Sequence, residues 1–389
     1  MRRTMAQGYA GFLRITHVIS TPHCHRTNSH LLSGISPLTI NGPGRFLARR
    51  EHLMRRGIQR GYRFVGRSLI VLMATQLFVW NSANDPIAAA GDPVSAAISQ
   101  ANLTKLINSS ISLRNLPSSL TPSLNELENN GDYGGSLLDS SSCGSLGTNA
   151  WQENIAHCYF GDTKSKTTLA LVGDSRASMY LDTFAKLGAI EHFRVLFIAK
   201  DGCPIPLGTY MTNNDGTLSD GVWTACSSFH SYLIAHLDKI KPRVIVVSSN
   251  TEIDLTNPVH YAQAPEIQTD MEALLSKLPR SSRVIVLGGF PQPAEVANPT
   301  VCLSRNPSNV SSCAFTPSSG TVSDNAAFAT AAADERDVFV NQTPWFCTST
   351  CPAVIGNYVP YTVDAYHADN TYLQFLIGVI WSSIERYIA

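Results

Sequence analysis

After Thr167 the chain alternates short unbroken apolar runs with helix-length amphipathic stretches, and this alternation narrows the choice of fold more than any other feature. TLALVG from Thr168, FRVLFIAK from Phe193, VIVVSS from Val244 and VIVLGG from Val284 are the apolar runs. Between them lie ASMYLDTFAKLG, SSFHSYLIAHLDKI and EIQTDMEALLSKL. A strand that is apolar at successive positions must be buried on both faces, which a parallel sheet covered by helices provides. The pattern predicts an α/β sandwich.

Around this core the texture differs. DVFVN, Asp337 to Asn341, is the candidate last strand, and Ala368 to Ile388 carries helical spacing of Leu373, Leu376, Ile380 and Ile384. Between Phe290 and Trp345 a Pro- and Ser-rich insertion is expected to run as a loop over one sheet edge. Residues 91–150, dominated by Ser, Asn, Leu and Pro, read as an extended linker packing on the domain, with one short helix in AAISQANLTKLINSSI. The core domain is expected over 151–389.

The first 67 residues crowd Arg and His together and read as a poorly ordered basic extension. Arg55, Arg56, Arg60, Arg63 and Arg67 precede the apolar run LIVLMATQLFVW, Leu69 to Trp80, and small residues follow to Ala90. That order within 68–90 is a secretory signal, with an uncleaved membrane anchor at 69–80 as the alternative. The expected location is extracytoplasmic, secreted or anchored.

Lys plus Arg number 29 and Asp plus Glu number 29. The balance leaves no overall basic field for a phosphate backbone, so nucleic acid is not an expected partner. Apart from Cys24, the cysteines fall into sequence neighbours: Cys143 with Cys158, Cys203 with Cys226, Cys302 with Cys313, and Cys347 with Cys351. Eight cysteines allow 105 pairings; neighbour pairing into structural disulfides is expected, in keeping with export. A zinc site needs two tight ligand pairs, and only CTSTC at Cys347 to Cys351 approaches one. No metal or other cofactor is expected.

The chemistry-bearing residues lie at opposite ends of the domain. Ser175, in Gly-Asp-Ser, follows an apolar strand and precedes a helix, at the sheet edge where open α/β folds bind ligands and where helix N–H groups favour an oxyanion. Ser and Asp are also common helix caps, so the triplet alone says little. A nucleophilic serine needs a base and a group that orients it. Among the histidines of the domain, His367 stands three residues after Asp364, in YTVDAYHADNTYLQFL, just before the terminal helix. A D-x-x-H turn lets Asp364 accept one imidazole N–H while the other nitrogen faces a nucleophile.

Together, Gly-Asp-Ser after the first core strand and Asp-x-x-His before the last helix resemble the first and last blocks of the SGNH (GDSL) hydrolase superfamily. LPSSLTPSLNE, HCYFGD, LALVGDSRASMY, DGCPIP, KPRVIVVSS and CTSTCPAVIGNYVPYTVDAYHADNTYL extend the resemblance to the extracytoplasmic SGNH domain fused to acyltransferase-3 membrane proteins, over Ser95 to Ala389. The resemblance implies a flavodoxin-like three-layer sandwich with disulfide-stapled loops. Ser175 then resembles the nucleophile, His367 the base and Asp364 its orienting carboxylate. Ser175 N–H, Gly202 and Asn250 stand where the oxyanion hole is formed.

Three departures mark this sequence. Asn250 lacks the usual Gly-x-Asn-Asp surroundings, Cys203 directly follows Gly202, and Arg176 replaces the usual His, which makes it a candidate substrate contact. Gly202 as a simple turn residue and Asn250 as a helix cap are the competing readings. The implied activity is serine-dependent O-acyl transfer or ester hydrolysis on acyl groups, acetyl foremost, of cell-envelope glycans or glycolipids. The implied partners are the acylated carbohydrate and a membrane acyltransferase supplying acyl groups. The alternative is a non-catalytic glycan-binding partner domain of such an acyltransferase.

Overall fold

A computed structural model describes Val94 and residues 97–130, 135–141, 143, 158–211, 221–250, 254–255, 260–292, 298–364 and 366–388. All fall within one unit, Asn81–Ala389. The basic extension, the apolar segment at 69–80 and the His-rich stretch around Cys24 lie outside the described residues.

The elements in chain order begin with helices α1 (Gln100–Ser110), α2 (Leu124–Asn130) and α3 (Gly135–Ser140), followed by β1 (Tyr159–Gly161). The core then runs β2 (Thr168–Gly173), α4 (Ser175–Ser178), α5 (Leu181–Ile190), β3 (Arg194–Ala199), α6 (Thr224–Ile240) and β4 (Val244–Ser248). A small pair, β5 (Asp254–Leu255) and β6 (His260–Tyr261), precedes α7 (Ala264–Leu275) and β7 (Arg283–Leu287). The chain finishes with α8 (Pro299–Arg305), α9 (Ser319–Asp334), β8 (Val338–Val340), α10 (Thr343–Phe346), α11 (Asn370–Phe375) and α12 (Ile377–Ile388).

The main sheet has the order β1-β3-β2-β4-β7-β8. Only β1 at the edge is antiparallel; the other pairings are parallel. Within the parallel set the second strand lies outside the first, and the third, fourth and fifth follow on its other side. This is the flavodoxin-like arrangement, whose order reverses between β2 and β4 and so opens a crevice beyond their carboxyl ends.

Alternation along the strands explains the three layers. Leu169, Leu171, Val244 and Val246 face one way, onto Phe184 of α5 and Ile380 of α12. Ala170, Val172, Ile245 and Val247 face the other, onto Phe229 of α6, Met271 of α7 and Phe328 of α9. Both sets are essentially inaccessible to solvent. Each buried Val, Leu or Ile side chain contributes about 1.5–3 kcal/mol, so the strand pattern itself supplies much of the driving force.

Two segments hold more helix than the sequence predicted. The described residues of the 91–150 segment supply three helices rather than one. Ser99 caps α1, whose Leu103 and Ile107 enter the core, and Ser123 and Glu126 form a reciprocal cap at α2. The insertion after Phe290 is a loop only in part, because it contains α8 and the 16-residue α9. The terminal helical stretch divides into α11 and α12 at Leu376.

The described cysteines pair with their sequence neighbours: Cys143 with Cys158, Cys203 with Cys226, Cys302 with Cys313, and Cys347 with Cys351. The Cys203–Cys226 bond closes a loop with a separation of 23 residues, worth about 3 kcal/mol by restricting the unfolded chain. No helix among the described residues is long and apolar enough to cross a membrane.

Candidate active site

The site grows from the carboxyl end of β2 at the point where the strand order reverses. Gly173 lies level with Ser248 of β4, and a Cβ there would overlap the Ser248 carbonyl oxygen. The two strand ends therefore leave no room for a side chain at this position. Asp174 follows, fully buried, and caps α4 by accepting the Arg176 N–H at 2.8 Å through Oδ1. Its Oδ2 accepts the Asn250 N–H at 2.8 Å and the Ser249 hydroxyl at 3.2 Å. Burial raises the Asp174 carboxyl to about 6, against these donors and the Arg176 charge, which favour the carboxylate. One side chain thus ties the β2–α4 turn to the β4 exit loop.

Ser175, the first residue of α4, has its Oγ 2.8 Å from His367 Nε2. The other ring nitrogen, Nδ1, is 2.6 Å from Asp364 Oδ2. A carboxylate can only accept, so in the neutral imidazole Nδ1 carries the proton and Nε2 is left to accept from the serine hydroxyl. The structure brings together three residues that are 192 positions apart at their extremes.

Asp364 and His367 occupy a tight loop closed by the Tyr361–Ala368 bridge and the Thr362 N–H to His367 O bond. Asp364 Oδ1 gathers the Thr362 hydroxyl at 2.6 Å, the Tyr366 N–H at 2.8 Å and the His367 N–H at 3.0 Å. Burial alone would raise this carboxyl. The hydrogen bond and charge of His367, with the Thr362 and Tyr366 donors, outweigh it and hold Asp364 well below the usual carboxylate range. The loop base is held by the buried Tyr361 ring, packed against Phe290, Phe315 and Phe346.

Asp369 then caps α11 through the Tyr372 N–H, and burial pushes its carboxyl up to about 7. A native value above the unfolded value of about 4 means that its stabilising contribution is full below about pH 4 and is lost as the pH rises through about 7. Asp174 and Asp337, each raised by burial to about 6, act in the same direction. These three carboxyls should therefore lower the melting temperature as the pH rises from about 4 to about 7, while His230 and His236, whose values burial lowers, act in the opposite sense. Asp369→Asn, which keeps a capping side chain, should reduce that slope and melt several degrees higher than the wild type at about pH 8. A slope unchanged by the substitution would contradict the assignment.

Of the other candidates, Asn250 follows β4 in the crevice, with its side-chain Oδ1 3.4 Å from Arg176 Nη2. Arg176 is buried, its guanidinium 4.4 Å above the Phe290 ring. With Asn250 and Phe290 it lines a narrow cavity that also reaches Gln292 and Asn325. Gly202 sits in a turn closed by Cys203 N–H to Lys200 O, with φ 73°, the positive value that the third position of a type II turn requires. The organising roles of Asp174, Ser249 and Phe290 were not singled out from the sequence. Asp174 could have been, since its carboxylate sits between the required Gly and Ser.

His230 lies within reach of both Cys203 and Cys226, an arrangement that resembles a metal cluster. Both sulfurs are committed to the disulfide, and His230 Nε2 is 2.7 Å from the Pro204 carbonyl oxygen. The CTSTC pair is likewise a disulfide.

A flavodoxin-like sandwich with a serine, histidine and aspartate hydrogen-bonded in series at its switch point defines the class of SGNH hydrolase folds. The chain belongs to a particular branch: the family model for the SGNH domain fused to AT3 domains matches residues 142–380. That membership places it in a family of acyl-group transferases and esterases. Among solved structures it is similar to the periplasmic domain of a lipopolysaccharide acetyltransferase from Salmonella ser. Paratyphi A, with 17% identity and a TM-score of 0.49, covering 68% of this chain and 98% of that one. It is also similar to a protein assigned as an acylhydrolase from Bacteroides fragilis, with 14% identity and a TM-score of 0.36, covering 62% and 96% respectively. No curated protein sequence matches the chain.

Proposed function

We propose that this protein is an extracytoplasmic serine-dependent O-acyltransferase or esterase acting on acyl groups, acetyl foremost, of cell-envelope glycans or glycolipids. The observation that carries the reading is the Ser175–His367–Asp364 relay, with heavy-atom distances of 2.8 and 2.6 Å. Ser175 Oγ attacks the acyl carbonyl carbon as its proton passes to His367 Nε2, and Asp364 stabilises the imidazolium. The tetrahedral oxyanion receives the Ser175 N–H, the Gly202 N–H and the Asn250 amide. With Asn250 Oδ1 held by Arg176, its Nδ2 donors occupy the other side of the amide. Collapse expels the donor alkoxide, which takes the proton from His367, and leaves an acyl-enzyme ester on Ser175. A sugar hydroxyl or water, deprotonated by His367, then attacks that ester, and its collapse returns the proton to Ser175 Oγ.

Four disulfides and the signal-like order of residues 68–90 support a location outside the cytoplasm, secreted or anchored by residues 69–80. A membrane acyltransferase that delivers acyl groups is the partner this reading calls for. The test is covalent labelling of the folded, oxidised full chain with a serine-directed fluorophosphonate. Labelling that disappears in Ser175→Ala and His367→Ala supports an activated serine; none in the wild type favours a non-catalytic glycan-binding domain. Asn250→Ala should lower kcat by about 10²-fold or more with KM little changed, because an oxyanion donor acts in the transition state. An unchanged kcat would leave Asn250 as a structural residue.

A further inference from the structure

The pole of the sheet opposite Ser175 carries an arginine-lined groove that the proposed acyl transfer does not use. Three neighbouring strands reach this edge with an arginine at or just before their first residue. Arg243 precedes β4, Arg283 opens β7, and Arg336 lies two residues before β8. The register pairs Val244 with Arg283 and Ile285 with Val338, which brings the three arginines to one level across adjacent strands. Arg280 joins them from the loop before β7, and Arg386 from the last turn of α12. All five are exposed, and they line a groove of about 750 Å³, within the size range of small-molecule sites.

The guanidiniums are partly fixed in place. Arg283 Nη1 donates to the Arg336 carbonyl at 3.0 Å, and the Tyr387 ring lies 5.9 Å from Arg283 and 4.7 Å from Arg386. Three carboxylates share the groove: Asp334, Glu335 and Asp337. Glu335 pairs with Arg280 at 2.7 Å, and burial raises Asp337 to about 6. The cations outnumber the carboxylates in a chain whose overall charge is zero. Arginine forks match phosphoryl oxygens two at a time, and several forks in one concave site favour a ligand with more than one anionic oxygen cluster over a single weak counter-ion.

We infer that this groove, formed by Arg243, Arg283, Arg336 and Arg386 at the strand-start pole, binds phosphoryl groups, carried either by a membrane lipid headgroup or by a soluble phosphorylated saccharide. Such a site would hold the protein on a phosphate-bearing surface or ligand while the serine pole remains open. It does not depend on the catalytic reading.

The test uses inorganic pyrophosphate in calorimetric titration of the full chain, beside the triple variant Arg243→Gln/Arg283→Gln/Arg386→Gln. The arginine-rich first 67 residues are common to both proteins, so the difference between them isolates the groove. Binding that weakens about tenfold or more in the variant, and fades in about 0.5 M salt, is the expected result. The variant should keep the wild-type melting temperature and the wild-type response of Ser175 to fluorophosphonate, whether that response is labelling or none. A wild type that does not label but still binds pyrophosphate through the groove would sink the catalytic reading and leave this one standing.

Sedimentation with phosphatidylglycerol and phosphatidylcholine vesicles distinguishes the sources. Groove-dependent capture by the anionic vesicles alone identifies a lipid headgroup; pyrophosphate binding without capture identifies a soluble phosphorylated ligand. Equal binding by wild type and variant, or no binding to either pyrophosphate or anionic vesicles, overturns the inference. A conservative variant, Arg283→Lys with Arg386→Lys, keeps the charge and loses the forks. Should the triple variant fail to fold, this one decides: weaker pyrophosphate binding than wild type supports the forked geometry, and unchanged binding counts against it.

Discussion

Ser175→Ala is expected to lower ester cleavage by the full chain about 10⁴-fold or more, and His367→Ala to do nearly the same. The double variant should be no worse than the weaker single. This non-additivity follows from the geometry: Ser175 Oγ and His367 Nε2 are 2.8 Å apart and share one proton, so neither acts without the other. Asp364→Asn should cost about 10²–10⁴-fold while leaving the loop intact, because an amide in place of Oδ2 permits the imidazole tautomer that cannot accept from serine. Asp364 is held ionised far below the usual carboxylate range, so its own titration contributes nothing to the pH dependence of the wild type between about pH 5 and about pH 8. Initial rates on a small acetyl ester, with melting temperatures as the folding control, measure all of these. Additive losses, or a Ser175→Ala enzyme within about tenfold of wild type, would remove the serine from the mechanism.

The parts of this site that could be read from the sequence were those set by short-range chemistry. β2, β3, β4 and β7 announced themselves because strands buried on both faces cannot avoid consecutive apolar residues, and in β2 and β4 every position is buried. The sequence points to Ser175, His367 and Asp364 because serine chemistry calls for those residue types next to a strand end and in a short turn, and the fold brings the three side chains within hydrogen-bonding distance. Helix α9 was not found: SGTVSDNAAFATAAAD packs through Ala327, Phe328, Ala331 and Ala332, and alanines carry too little hydrophobic contrast to reveal a helical face. The place of Asp174 between Gly173 and Ser175 marks it as a candidate cap, but the tie it makes to β4 is hidden for a different reason. Its partners Ser249 and Asn250 are about 75 positions away and arrive only once β2 and β4 are paired. The arginine row at the far pole is likewise a product of register, since Arg243, Arg283 and Arg336 share no local motif.

That dependence on strand pairing makes Gly173 the most sensitive backbone position in the site. A Cβ at Gly173 would overlap the Ser248 carbonyl oxygen and come within 2.8 Å of the Ala177 Cβ. Neither neighbour can yield cheaply. Ser248 is held in register between Gly173 and Leu287, and Ala177 lies in the turn that Asp174 caps. Gly173→Ala should therefore destabilise the protein by about 3 kcal/mol or more, as overpacking of a rigid core does at its upper end. Any molecules that remain folded should lose serine reactivity, because separating β2 from β4 pulls Asp174 from the Asn250 N–H that it holds at 2.8 Å. Gly202→Ala provides the contrast. A Cβ there has room, with its nearest neighbour the Trp223 ring at 3.5 Å, so the cost is that of a positive φ alone, about 1–2 kcal/mol. Denaturant midpoints and fluorophosphonate labelling of the two variants separate these mechanisms. If Gly173→Ala proved no more costly than Gly202→Ala, the close approach of β2 to β4 would not be what sets the geometry around Ser175.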